Sequence, residues 1–158
     1  MEYVAAADQS KINQAWRQTA VVMAFFAITP VALIIVGKLV IHETFDGDLA
    51  TYQEITKLLY GGTIGLGLAV IALRRIGFWL LARRTAGANA ISVLRKLRSL
   101  ALLGAAAGEL IGILGLVAAF ITHEYQFCWR MGVVSLAVIL YSFPRRSEWE
   151  RAIAAATE

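Results

Sequence analysis

The sequence predicts an all-α fold, a four-transmembrane-helix bundle with both termini cytoplasmic, and three observations predict it. Hydrophobic residues make up 59% of the 158 positions and charged residues only 16%, with a mean hydropathy of +0.66, far from the balance of a water-soluble domain. The apolar residues gather into four blocks, at about 19–41, 55–73, 99–122 and 127–143, each to be judged against the roughly 20 residues that cross a bilayer as a helix. The basic residues are distributed unequally between the connections. If the four helices alternate in direction, Lys11, Arg17, Arg74, Arg75, Arg83, Arg84, Arg95, Lys96, Arg98, Arg145, Arg146 and Arg151 share one side, twelve of the fifteen. By the positive-inside rule that side is the cytoplasm, and a bacterial inner membrane is the expected location.

The first block follows a polar start, "MEYVAAADQSKINQAWRQ", and is too long and too poor in small residues near its end to be a cleaved leader, so it is expected to stay in the protein. Pro30 within "AITPVALIIVG" removes one backbone donor and predicts a kink. Lys38 lies about one turn from the outer end, where its stem reaches water.

The second block begins "YGGTIGLGLAV", with Gly61, Gly62, Gly65 and Gly67 close together. In lipid such a cluster permits close backbone approach, and the third helix is the expected partner, because Gly104, Gly108 and Gly112 repeat there every four residues. A cytoplasmic extension of the second helix to about residue 82 leads into "RRIGFWLLARRTAGANAISVLRKLR". Phe78, Trp79, Leu80 and Leu81 sit between arginine pairs, and Ile91, Leu94 and Leu97 recur at helical spacing among Arg95, Lys96 and Arg98. This reads as helix lying along the inner headgroup surface. Topogenesis and anionic lipid account for the net charge of +4, so no nucleic-acid partner is expected.

The third block carries the one residue that is costly there. Glu109 lies about ten residues into the run, near the bilayer midplane, where a carboxylate costs at least about 2.5–3.5 kcal/mol. It is therefore expected to carry a proton or to face a partner, an ion or water, in a crevice between the second and third helices. The fourth block is marginal in length because Arg130 cuts into its start; Tyr141 and Phe143 are placed as headgroup-level anchors, and Pro144 ends the helix. An amphipathic tail is predicted over about 147–156, with Ser147 as cap and Trp149 toward the membrane surface.

His42 in "VIHETF" and His123 in "ITHEYQ" follow the first and third helices and are each followed by a glutamate, Glu43 and Glu124. Imidazoles at equal depth could ligate a haem axially, or join the two carboxylates around a divalent metal; equally, they could meet interfacial water, and a protein without cofactor is the first expectation. The single cysteine, Cys128, excludes an intrachain disulfide and any multi-cysteine metal site. No nucleophile with a neighbouring base and no phosphate-binding loop is present, so an enzyme reading has Glu109 alone to rest on.

A glycine-rich helix at 61–67, a basic connection and a following helix with a midplane carboxylate are together similar to the hairpin of the rotor-ring proteolipids, the c subunits of rotary ATPases. "GELIGILGLVAAFITHEYQF" and "YSFPRRSEWE" resemble uncharacterised bacterial four-helix membrane proteins, some of which are described as c-subunit-like. The resemblance implies ion binding at Glu109, ring packing at Gly61, Gly65 and Gly67, and life in a homo-oligomer or a larger membrane complex, as a proteolipid-like or an accessory subunit. The connection here, residues 74–98, is longer than the short polar turn of the rotor proteolipids.

Overall fold

A computed structural model describes the backbone of residues 2–41, 49–84 and 90–157, and the side-chain surroundings of residues 10–41, 52–77 and 91–153. Four long helices and a short one follow in order: α1 (Glu2–Val40), α2 (Leu49–Arg84), α3 (Ala90–Thr122), α4 (Tyr125–Ser142) and α5 (Arg146–Thr157). No strand occurs among the described residues. Four stretches are long and apolar enough to cross a membrane: Ser10–Val40, Tyr52–Gly77, Ile91–Thr122 and Tyr125–Ile153.

The surface is apolar where a soluble protein would be polar. Phe25, Leu39, Leu58, Ile64, Leu68 and Ile121 are each at least 60% exposed, and a band of this kind is stable only against lipid or another protein. At 1.5 Å per residue, α1, α2 and α3 are each about 50 Å or longer, against a hydrocarbon core of about 30 Å, whereas α4 is about 27 Å. Three helices are therefore longer than such a core is thick. α1 continues unbroken through Pro30, whose ring is fully buried.

The projecting ends form a small core of their own. Ile12 of α1, Val93, Leu94 and Leu97 of α3, and Trp149 and Ile153 of α5 bury one another, with Trp16 alongside. The Trp16 indole N–H donates to the Pro144 carbonyl at 2.9 Å. Both terminal helices thus lie at one end of the bundle. Two expectations are corrected here. The 91–98 stretch does not lie along the headgroups but is the first part of α3, with Leu94 and Leu97 turned inward. Trp149 faces this core, only 2% exposed, and not the membrane surface. An amphipathic period shows that a face must be covered; it does not show what covers it. The helix of the tail begins at Arg146, one residue before the expected cap, with the Glu148 amide donating to the Arg145 carbonyl at 3.0 Å. The side chains of Phe78, Trp79, Leu80 and Leu81 lie outside the described residues.

The centre of the bundle is the antiparallel α3–α4 hairpin, with α1 and α2 packed on it as flanking helices. Small residues on α3 set the spacing. Gly104 faces Ser142, Gly108 faces Ile139 and Ser135, Gly112 faces Ser135, and Gly115 faces Met131, descending α4 as they ascend α3. A methyl group at Gly108 would come within 2.6 Å of Ile139 Cγ1 and 3.0 Å of the Ser135 carbonyl oxygen. The turn that joins the hairpin is tight: His123 takes a left-handed conformation, φ 53°, a position that usually selects glycine or asparagine.

Candidate functional site

The third-helix glycines pack on α4, so their expected pairing with the second-helix glycines is corrected. A Cβ added at Gly61, Gly62, Gly65 or Gly67 would meet no described atom of another element within 4 Å. The physical reason is the narrowness of the inward face of α2. Only Thr63 and Val70 are buried on its described face, two turns apart, and the glycines fall beside or opposite that seam. The Thr63 hydroxyl donates to Met131 Sδ at 3.2 Å, and Val70 reaches α3 next to Gly104.

Glu109 is half-buried, and its position follows from its neighbours along α3. Leu102 and Leu116, seven residues to either side, stand on the same edge of the helix. Leu102 packs with the Met23 cluster of α1, and Leu116 lies next to Gly37 of α1. Gly112, one turn on, also meets Leu33 of α1. The residues of α3 that face α2 are others, Leu100 and Ala107 among them. The carboxyl group therefore sits where α3 meets α1, at the border of the outward face that carries Leu110, Ile113 and Val117. The expected crevice between the second and third helices is not where it lies, because a position four residues from Ala105 and three from Gly112 inherits the side of the helix that those residues turn to α1. No described residue hydrogen-bonds or ion-pairs with Glu109.

The layer occupied by Glu109 can be read across the bundle. Val70 touches Gly104, so Gly65, five residues from Val70, and Glu109, five from Gly104 on the antiparallel helix, lie at similar depth to within about one turn. They are on different flanks of the molecule: the carboxyl on the α1 side, Gly65 on the outside of α2.

At the other end of the bundle, the histidine pair cannot be compared, because His42 and Glu43 lie outside the described residues. His123 is exposed in the α3–α4 turn. Glu124 accepts a hydrogen bond from the Tyr52 hydroxyl at 2.9 Å, which ties α2 to the start of α4. Around it, Tyr52 and Tyr60 pack on Phe127 with ring centroids 5.6 and 6.5 Å apart, and Arg130 donates to the Tyr60 hydroxyl at 3.0 Å. Among the described residues no three His, Cys, Asp or Glu side chains converge as a metal would need. Cys128 is buried where α1 crosses α4, its thiol directed at the Leu33 carbonyl at 3.4 Å.

A cluster that sequence reasoning did not single out lies at the terminal end. The Arg74 guanidinium binds Glu148 at 2.8 Å and stacks over Tyr141 at 4.9 Å, while Arg145 approaches the same carboxylate at 3.7 Å. Arg74 joins α2 to α5 across 74 residues of chain, and only its position at the end of an apolar block hinted at it. Beside it opens a cavity of about 220 Å³ between α2 and α3, floored by Pro144 and Trp149. Ser142 lines the cavity, 5% exposed, with a buried hydroxyl that has no hydrogen-bond partner.

Comparison with known proteins adds no relative: no family model, no curated protein and no solved structure matches this chain.

Proposed function

We propose that this chain is a proteolipid-like subunit of a homo-oligomeric membrane assembly, in which Glu109 is the proton- or ion-binding group at the contact between neighbouring copies. The observation that carries the reading is a carboxyl at mid-span, on the outer border of the bundle, that no described residue of its own chain hydrogen-bonds. Polar groups at that depth are stable only against a partner, an ion or water. The outside of α2 offers a matching surface, since Gly61, Gly62 and Gly65 are exposed, a Cβ added at any of them would meet no described atom of another element within 4 Å, and Gly65 lies at a depth similar to that of Glu109. Two unlike faces on different flanks make a head-to-tail contact, and such a contact closes into a ring when the rotation allows. The basic ends place both termini in the cytoplasm in this reading.

The test is native mass spectrometry of gently extracted full-length protein, combined with a hydrophobic carbodiimide. The expected mass is a multiple of the 17.2 kDa chain. Labelling should fall on Glu109 and vanish in Glu109→Gln. A single copy held by a different protein would make it an accessory subunit instead, and an unlabelled monomer would leave no assembly role. Visible absorbance or bound metal that disappears in His42→Ala would move the reading to the haem or metal alternative, with His42 and His123 as ligands.

A further inference from the structure

We propose that the cavity between α2 and α3 is a binding site for an anionic phospholipid, with the phosphodiester at the arginine end, beside Arg74, and an acyl chain along the apolar wall. This inference shares with the proposed function only the placement of the chain in a bilayer, and it would survive a monomeric protein with an inert Glu109.

The cavity holds about 220 Å³, more than the ~150 Å³ that admits a benzene-sized apolar guest. Its walls are graded along the bundle. Leu66, Ala69, Leu103 and Ala107 form the end toward mid-span, and Arg74, Ser142 and Trp149 form the end at the projecting core. Leu73 and Leu103 on its rim are 49% and 56% exposed, so the opening faces sideways, where lipid stands.

The polar end carries the recognition. Ser142 backs this end, 5% exposed, with its hydroxyl turned to Gly104 and without a hydrogen-bond partner among the described residues. Arg74 is 15% exposed and is held in place by Glu148 and the Tyr141 ring. A second basic pair continues the complementarity: Arg95 and Lys96 edge a shallower groove that shares Leu73 and Leu100 with the cavity. An apolar slot that ends in arginine and a basic rim at headgroup depth fits an acidic lipid with its chain inward. It also explains why α2, whose apolar window is 11% buried against 39% for α3, stands apart from α3 here: the lipid chain fills the gap.

The full-length protein is titrated in detergent with dioleoyl phosphatidylglycerol or dioleoyl phosphatidylcholine, and bound lipid is read by native mass spectrometry. Phosphatidylglycerol is expected to bind at least fivefold more tightly. Ala69→Phe, which plugs the slot from an exposed position and leaves every charge in place, should weaken phosphatidylglycerol at least fivefold. Arg74→Gln should erase the preference between the lipids, and Lys57→Gln, at the far end of the bundle, should change neither. Equal binding of the two lipids overturns the proposal. So does an unchanged phosphatidylglycerol affinity in Ala69→Phe, which would reduce the effect to adhesion on a basic surface; this arm decides the matter even if Arg74→Gln fails to fold.

Discussion

Individual residues in this protein are constrained by distance more than by chemistry. Gly108 is the clearest case, since any side chain meets Ile139 and the Ser135 backbone. Gly108→Val should destabilise the hairpin by at least about 1–3 kcal/mol, read as a lower thermal unfolding temperature in detergent. Gly65→Leu has open space in front of it, so the isolated chain should unfold as before while the native mass drops toward one copy. The two variants separate packing within a chain from packing between chains. His123 makes the opposite point. Its left-handed backbone costs a residue with a Cβ about 1–2 kcal/mol, so His123→Gly should raise stability by up to about 1 kcal/mol, measured by the same unfolding transition.

At the scale of an element, α5 is held by one large side chain and a few polar contacts. Trp149 packs with Ile12, Leu97 and Ile153, and the nearby Trp16 indole fixes the chain just before the helix. Trp149→Ala should cost about 3–5 kcal/mol at this end. Limited proteolysis would then cut within 146–157, with the membrane-embedded part of α3 and α4 still protected. The ion pair between Arg74 and Glu148 does not replace that packing, because partly exposed pairs contribute little beyond orientation. The turn at the other end rests on a different device, Tyr52 donating to Glu124; Tyr52→Phe removes that link while keeping the ring on Phe127.

For the whole molecule, three helices are longer than a hydrocarbon core and α4 is about as long as one, and the projecting core of α1, α3 and α5 lies at the end where the termini are. Cysteines introduced in a Cys128→Ser background test the orientation. An impermeant maleimide added to intact cells should label Glu54→Cys, and should label Arg146→Cys only after the membrane is opened. Both positions are exposed, at opposite ends of the bundle. The reverse pattern would turn the protein over.

The sequence by itself determined the class of fold and the number of helices long and apolar enough to cross a membrane, because hydropathy depends on composition over about 20 residues and on nothing remote. It also determined the expensive residue: Glu109 stands out in "GAAAGELIGILGLVAAF" however the helices are arranged. Only the tertiary structure decided which helix faces which. In lipid, the glycine runs of α2 and α3 look equally ready to pack, since close approach needs small residues on one partner and a fitting surface on the other. Ser135, Ile139 and Met131 made α4 that surface for α3, which left Gly61, Gly62 and Gly65 of α2 outward and Glu109 on the α1 border. In the same way, Leu94, Leu97 and Trp149 announce an apolar face by their spacing, and long-range packing decided that they cover one another rather than the membrane surface.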